Sequence, residues 1–203
     1  YDEIERLADK HKPKLIIAGA SAYSRIIDFE RFSAIARQCG AYLLADIAHI
    51  AGFVATGLHP SPVPYADCVT STTHKTLRGP RGALIVAKKE HELALNRAFM
   101  PGLQGGPSMH TIAAKAIAFY EALQSSFYEY QVQVIKNAQA MADTFFKLGY
   151  RIVAGKTDNH MFVLDLRSKN ITGYEAQLCL EEVGITVSRS SIPFDTQKPW
   201  ITS

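Results

Sequence analysis

The feature that most constrains the fold is a regular alternation of helical segments and short apolar runs over residues 1–87. Alternation of this kind is typical of α/β proteins, in which a mostly parallel sheet is flanked by helices. The sequence therefore predicts an α/β fold for this part of the chain. The predicted strands cover residues 14–18, 41–45, 66–70 and 82–87.

Two helices are predicted among these strands. Residues 1–11 are amphipathic, and residues 28–39 carry apolar side chains at helical spacing. Asp28 is a suitable N-cap for the second helix, and Gly40 stands just past its end. This helix is expected to be the crossover between the first two strands.

The pattern changes in the second half of the chain. Long helices are predicted over residues 109–121 and 131–148, and a mixture of short elements follows Gly149. We predict that residues 1–122 form the C-terminal portion of a large domain and that residues 123–203 begin a smaller α+β domain. The short elements are strands at 150–153, 161–166 and 185–187 and a helix at 172–183.

Composition narrows the class of protein. Of the 203 residues, 47% are hydrophobic, which is enough for a sizeable core, and the net charge of +3 includes no basic block for nucleic acid. No apolar run approaches the roughly 20 residues that span a bilayer. The three cysteines have no zinc-ligand spacing, so we predict no metal site and a cytoplasmic location.

The chain begins without methionine and stops in an apolar run, so we expect it to be an internal part of a longer protein.

Four polar residues fall where the predicted strands end. They are Ser21, Asp46, His49 and Lys75. Parallel α/β sheets bind ligands in the crevice outside the carboxyl ends of their strands. We therefore expect a ligand site at this edge.

The pairing of Asp46 with Lys75 matches what pyridoxal phosphate requires. The aldehyde of that cofactor forms an imine with a lysine amine, and a carboxylate keeps its ring nitrogen protonated. The pair alone leaves another interpretation open, because an aspartate after a strand is often a turn or helix cap.

The residues around Lys75 strengthen the cofactor hypothesis. Four hydroxyl side chains could bind a phosphate or a phenolate, Gly79, Pro80 and Gly82 shape a tight turn, and Arg81 adds charge. A plain connecting loop with a solvated lysine remains the alternative, with His74 either beside the cofactor or on the surface. The hydroxyl residues are Ser71, Thr72, Thr73 and Thr76.

Several runs, in order along nearly the whole chain, resemble serine hydroxymethyltransferase. The longest, residues 72–82, reads TTHKTLRGPRG. The others are SAYS at 21–24, ADIAHIAG at 45–52, PGLQGGP at 101–107 and TDNH at 157–160. The resemblance implies a fold-type I architecture that binds pyridoxal phosphate, and residues 1–122 would belong to its cofactor-binding domain.

The resemblance also implies roles for single residues. Lys75 would carry the cofactor as an imine and Asp46 would face the ring nitrogen, with Arg81 adding positive charge to the site. Ser21 and His49 would lie near the phenolic oxygen, His74 beside the imine, and Thr72 or Thr73 against the substrate. Gly105 and Gly106 would donate to the phosphate of a neighbouring subunit, in a homodimer or a dimer of dimers.

The implied reaction is reversible transfer of the hydroxymethyl carbon of serine to tetrahydrofolate, which gives glycine and methylenetetrahydrofolate. Lys198, Pro199 and Trp200 would lie beside the folate. Ser190 stands where the family usually presents an asparagine to the pterin, and serine offers fewer hydrogen-bonding groups. The family's carboxylate-binding arginine, stacking aromatic residue and catalytic glutamate fall outside this sequence, so we expect the 203 residues alone to be inactive.

Two other functions stay open. The Asp46 and Lys75 pairing serves many chemistries, so a threonine aldolase or a racemase could use the same site. A non-catalytic relic that only binds partners would form no imine at Lys75.

Overall fold

The computed structural model describes residues 1–198 and 201, which form two compact units. The first unit comprises residues 1–21 and 27–131, and the second comprises residues 22–26 and 132–203. The domain prediction, with its boundary at residue 123, stays a prediction.

The first unit is built on a four-stranded sheet. Its strands are β1 (Leu15–Ala18), β2 (Tyr42–Asp46), β3 (Cys68–Thr72) and β4 (Ala83–Ala87), and they lie in that order. Strands β1, β2 and β3 are parallel, whereas β4 pairs antiparallel with β3. The α/β class and the mostly parallel sheet are thus confirmed, with one antiparallel edge strand.

Helices flank this sheet, and those at residues 2–11, 29–39 and 109–122 lie where the sequence predicted helices. They are α1 (Asp2–His11), α2 (Phe29–Cys39), α3 (Ala51–Ala55), α4 (Glu92–Arg97) and α5 (Met109–Ala122). Helix α6 (Ser125–Lys147) starts in the first unit and continues into the second.

The ends of α2 follow directly from the sequence. The Asp28 carboxylate accepts a hydrogen bond from the Arg31 amide at 2.9 Å, and Gly40 ends the helix in the left-handed region at φ 73°. Phe29, Ile35 and Ala36 of this helix are buried. On the strands, Leu43, Ala45 and Val69 are buried as well, so the core lies on the face of the sheet that α2 covers.

The second unit contains a two-stranded antiparallel sheet, β5 (Arg151–Ile152) with β6 (Leu164–Asp165), and helix α7 (Gly173–Glu182). Thr172 and Glu175 form a capping box at the start of α7. Asp165 is buried and accepts hydrogen bonds from Arg151 and Arg167.

Residues 22–26 belong to this unit because residues 154–159 bind them. Arg25 pairs with Asp158 at 2.6 Å, and the Asn159 side chain donates to the Tyr23 carbonyl at 2.9 Å. Two runs that are far apart in the sequence, SAYS and TDNH, therefore meet in the structure.

The predicted strand at 185–187 is wrong, because the structure shows no strand there. The Ile185 amide donates to the Leu180 carbonyl and so completes the end of α7 instead of joining a ladder. Helix α7 ends through Gly184 at φ 78°, a conformation that favours glycine. Among the described residues, no helix combines the length and apolar character required to cross a membrane.

Candidate active site

Asp46 lies at the carboxyl end of β2, as predicted. Its Oδ1 accepts a hydrogen bond from the Ala48 amide at 2.9 Å, which fixes the carboxylate in a turn just past the strand. The amide of Ile47, the residue after Asp46, donates to the Thr70 carbonyl of β3 at 2.9 Å. Gly19, just past β1, touches the Asp46 backbone so closely that a methyl group there would overlap it. Asp46 itself is exposed.

Lys75 lies in the connection between β3 and β4, residues 73–82, which we call the lysine loop. Main-chain hydrogen bonds close this loop: Thr73 donates to Gly82 at 3.0 Å and Gly79 donates to Thr73 at 2.7 Å. The Arg78 amide donates to the Lys75 carbonyl at 2.9 Å. The backbone of the loop is thus fixed, while the Lys75 side chain is exposed.

Thr76 joins the lysine loop to the segment after β2. Its hydroxyl donates to the His49 carbonyl at 3.0 Å and accepts from the Gly52 amide at 3.0 Å. Because Thr76 follows Lys75 directly, this bridge holds His49 and Lys75 in one place.

The hydroxyls around Lys75 donate to main-chain carbonyls. Thr73 is fully buried and its hydroxyl donates to the Pro80 carbonyl at 2.6 Å. The Ser71 hydroxyl donates to the Thr72 carbonyl at 2.9 Å. With Thr76, which donates to the His49 carbonyl, three hydroxyls thus make short hydrogen bonds to main-chain carbonyls. The half-buried Thr72 makes the longest one, from its hydroxyl to the Ala48 carbonyl at 3.5 Å.

The charges of Lys75 and Asp46 both act on His49. Burial lowers the pKa of His49 below its ordinary value of 6.5, the positive charge of Lys75 lowers it further, and the Asp46 carboxylate opposes them. The imidazole is therefore held neutral at neutral pH. Lys75 and Asp46 each lie close enough to His49 to act on its charge.

His74 provides a test of whether this site suits a bound cofactor. Its Nδ1 is buried and has no hydrogen-bond partner among the described residues. A buried imidazole nitrogen without a partner is costly, and such groups mark places that a ligand completes. Together with the exposed Lys75 amine and the Asp46 carboxylate at the end of β2, this group fits an aldehyde cofactor that has a ring nitrogen.

The other residues predicted for the site lie in several different segments of the chain. Ser21 is exposed and lies two residues past Gly19, and Arg81 is exposed in the lysine loop. Gly105 and Gly106 lie in residues 104–108, the glycine segment, where a Cβ on either residue would have nothing within 4 Å. In the second unit, Ser190 is half-buried and Lys198 is exposed. Pro199 and Trp200 lie outside the described residues.

Sequence reasoning missed several residues that build the site. Gly19 and Gly52 allow close backbone approach, and Gln131 of α6 donates to the Thr76 carbonyl at 2.7 Å. Gly19 directly after a strand was an available signal. Gln131 gave none, because a glutamine in an amphipathic helix is usually on the surface.

One other group of polar side chains is accounted for by ion pairing. Asp67, Glu90 and His91 bring ligand atoms within 4.8 Å of one another. However, the Lys88 ammonium lies 2.5 Å from Asp67 Oδ1, and the Leu43 amide donates to Oδ2. Burial raises the pKa of Asp67, but these hydrogen bonds outweigh it and the net pKa is lowered.

A mostly parallel sheet flanked by helices, with a lysine loop after one strand and a carboxylate at the end of its neighbour, places the chain in the fold-type I class. The family model described as serine hydroxymethyltransferase matches residues 1–203. The chain belongs to the serine hydroxymethyltransferase family. This family depends on pyridoxal phosphate and uses tetrahydrofolate as a co-substrate.

Proposed function

We propose that this chain carries the cofactor site of an enzyme that transfers the hydroxymethyl carbon of serine to tetrahydrofolate. The observation that carries the proposal is the bridge from Thr76 to His49 and Gly52, because it ties the lysine loop to the segment after β2, where Lys75 and Asp46 each act on His49. Membership of the family supplies the reaction class.

Each group has a part in holding the cofactor. Lys75 would hold the cofactor through its aldehyde. Asp46 would face the ring nitrogen and favour its protonated form, and the turn that fixes the carboxylate would keep it in position. When bound, the cofactor supplies an electron sink for the cleavage of the Cα–Cβ bond of serine.

The two histidines have different parts at this site. The lowered pKa of His49 keeps its imidazole uncharged beside Lys75, so that it can accept or donate one hydrogen bond without adding charge. The unpartnered Nδ1 of His74 is available to the bound cofactor or to the substrate.

The threonines and glycines extend the site toward the substrate and the phosphate. Of Thr72 and Thr73, we assign the substrate contact to Thr72, because Thr73 is fully buried. Arg81 is exposed and adds positive charge at the end of the lysine loop. Gly105 and Gly106 carry exposed amides for the phosphate of a second subunit, which makes the proposed assembly a homodimer or a dimer of dimers.

Folate binding is the finer part of the proposal. Ser190 and Lys198, together with Pro199 and Trp200, are the residues proposed to face the pterin. A cytoplasmic location is proposed with this function, on the basis of three cysteines that form no disulfide among the described residues.

The first test is covalent attachment at Lys75. Purified protein is mixed with pyridoxal phosphate, its visible spectrum is recorded, and borohydride then fixes the cofactor to its lysine for peptide mapping. We expect the adduct on the peptide that contains Lys75, and we expect Lys75→Ala to lose it completely. The matched control is Lys14→Ala, which removes an exposed lysine outside the site. An adduct that maps equally to several lysines would contradict the proposal.

The second test identifies the reaction. Glycine production from labelled serine by the full-length protein that contains these residues is measured with and without tetrahydrofolate. Strong dependence on folate with transfer of the label to it supports the transferase. Equal cleavage without folate would assign the site to an aldolase instead.

A further inference from the structure

One face of α6 lies directly beneath the lysine loop. Phe127, Tyr130 and Gln131 are three and four positions apart, which places them on the same side of the helix. The Arg78 guanidinium lies over the Tyr130 ring at 4.6 Å and over the Phe127 ring at 5.6 Å. The loop therefore rests on this helical face at Arg78, three residues after Lys75.

Gln131 makes the second contact of this face, and it is the most buried one. Its side chain is 1% exposed, and Nε2 donates to the Thr76 carbonyl at 2.7 Å. The same Nε2 lies 2.5 Å from where a Cβ on Gly52 would stand. The amide is thus enclosed between the residue after Lys75 and the segment after His49.

The stability of the fold does not account for a glutamine at this position. Its Oε1 is buried and has no hydrogen-bond partner among the described residues. A buried amide with an unmet acceptor costs stability, and an apolar side chain of the same size would avoid that cost. What a glutamine adds is a directed donor to the Thr76 carbonyl.

We infer that Gln131 is a positioning residue: it fixes the main chain at Thr76 and thereby sets Lys75 and His49 relative to each other. Thr76 then presents its hydroxyl to the His49 carbonyl and the Gly52 amide. The catalytic part of this inference rests on the proposed function. The hydrogen bond from Gln131 to the Thr76 carbonyl involves only the chain's own residues.

The direct test is hydrogen exchange of the cofactor-free protein. The reporter is the Gly52 amide, because it donates to the Thr76 hydroxyl across the two loops. In Gln131→Leu we expect this amide and the lysine loop to exchange about tenfold faster, as loss of one buried hydrogen bond predicts. The melting temperature should change little, because the variant also removes the unmet Oε1.

Two control variants separate positioning from general stability. Gln133→Leu removes an exposed glutamine of the same helix, whose Nε2 donates to Asn137 at 2.7 Å. Ala142→Gly destabilises α6 at a buried position far along the helix. We expect Gln133→Leu to behave as the wild type, and Ala142→Gly to lower the melting temperature while loop exchange relative to global unfolding stays the same.

A conservative variant provides a rescue. In Gln131→Glu, a protonated carboxyl can donate to the Thr76 carbonyl as the amide does, whereas the ionised form cannot. Gly52 exchange, corrected for its intrinsic pH dependence, should therefore match the wild type at acidic pH and approach that of Gln131→Leu at alkaline pH. A variant with no such pH dependence would contradict the inference.

Cofactor binding gives the second readout. We expect Gln131→Leu to bind pyridoxal phosphate about tenfold more weakly than Gln133→Leu does. Unchanged Gly52 exchange in Gln131→Leu would overturn the inference, whatever the cofactor does. If Gly52 exchanges faster in Gln131→Leu but the wild type forms no Lys75 adduct, the positioning role of Gln131 stands and the proposed function is overturned.

Discussion

The lysine loop and the glycine segment differ in how far their own chain fixes them. The lysine loop is closed by main-chain hydrogen bonds, bridged to His49 by Thr76, and supported from below by α6. In the glycine segment, nothing stands within contact distance of a Cβ on Gly105 or Gly106. The resemblance implies that the lysine loop holds the cofactor of its own subunit and that the glycine segment meets the phosphate of a neighbouring subunit. The comparison teaches that the lysine loop is specified by contacts within this chain, whereas a Cβ on Gly105 or Gly106 would meet nothing within 4 Å.

The sharpest test of this contrast is the same substitution in both regions. A methyl group at Gly52 would overlap the Thr76 carbonyl and approach the Gln131 amide. Gly52→Ala should therefore destabilise the protein by at least about 2 kcal/mol, because backbone has to move. Gly105→Ala should change the unfolding free energy by less than about 0.5 kcal/mol. Urea denaturation measures both, and equal effects would erase the contrast.

A smaller effect is expected from removing the bridge between the loops. Thr76→Val keeps the shape of the side chain but loses the donor to His49 and the acceptor for Gly52. We expect a loss of about 1–2 kcal/mol in the unfolding free energy. The control is Thr144→Val on α6, where an exposed threonine donates only within its own helix. If the two variants unfold alike, the bridge adds nothing beyond local structure.

The smallest effect is electrostatic and concerns His49. In the cofactor-free protein its pKa is lowered, first by burial and then by Lys75, while Asp46 raises it. Lys75→Ala should therefore raise the pKa of His49, and Asp46→Asn should lower it further. Histidine titration by NMR measures both, with Lys14→Ala as the control. Shifts of the opposite sign would mean that the three side chains do not interact as described.

The lowered pKa also fixes the sign of a pH effect on stability. The unfolded chain binds a proton at His49 near pH 6.5, whereas the folded chain binds it only at lower pH. The contribution of neutral His49 to the unfolding free energy is therefore present above pH 6.5. It is lost as the pH falls through the pKa of His49 in the folded chain.

Much of the sheet could be predicted because its signals are local. The Asp28 cap, the Gly40 stop and the apolar runs of the strands are encoded in adjacent residues, and each is found in the structure. The orientation of β4 was not accessible in this way. The same apolar run suits a parallel or an antiparallel neighbour, and only the closed lysine loop decides between them.

The site residues also differ in whether local sequence could indicate them. Asp46 and Lys75 could be found because strand ends carry ligand residues in α/β folds. The contacts of Thr76 and Gln131 could not, because they join residues 27 and 55 positions apart. The strand predicted at 185–187 failed for a related reason: the helix before it uses the amide that a ladder would need.

The antiparallel pairing of β3 with β4 also bears on the order of events in folding. Thr72 lies opposite Ala83, so the lysine loop closes over residues 73–82 alone. Short closures cost less chain entropy than long ones, and contacts of low sequence separation form faster. We therefore expect the turn that carries Lys75 to form early with its hairpin. The contact between Gln131 of α6 and the loop should form later.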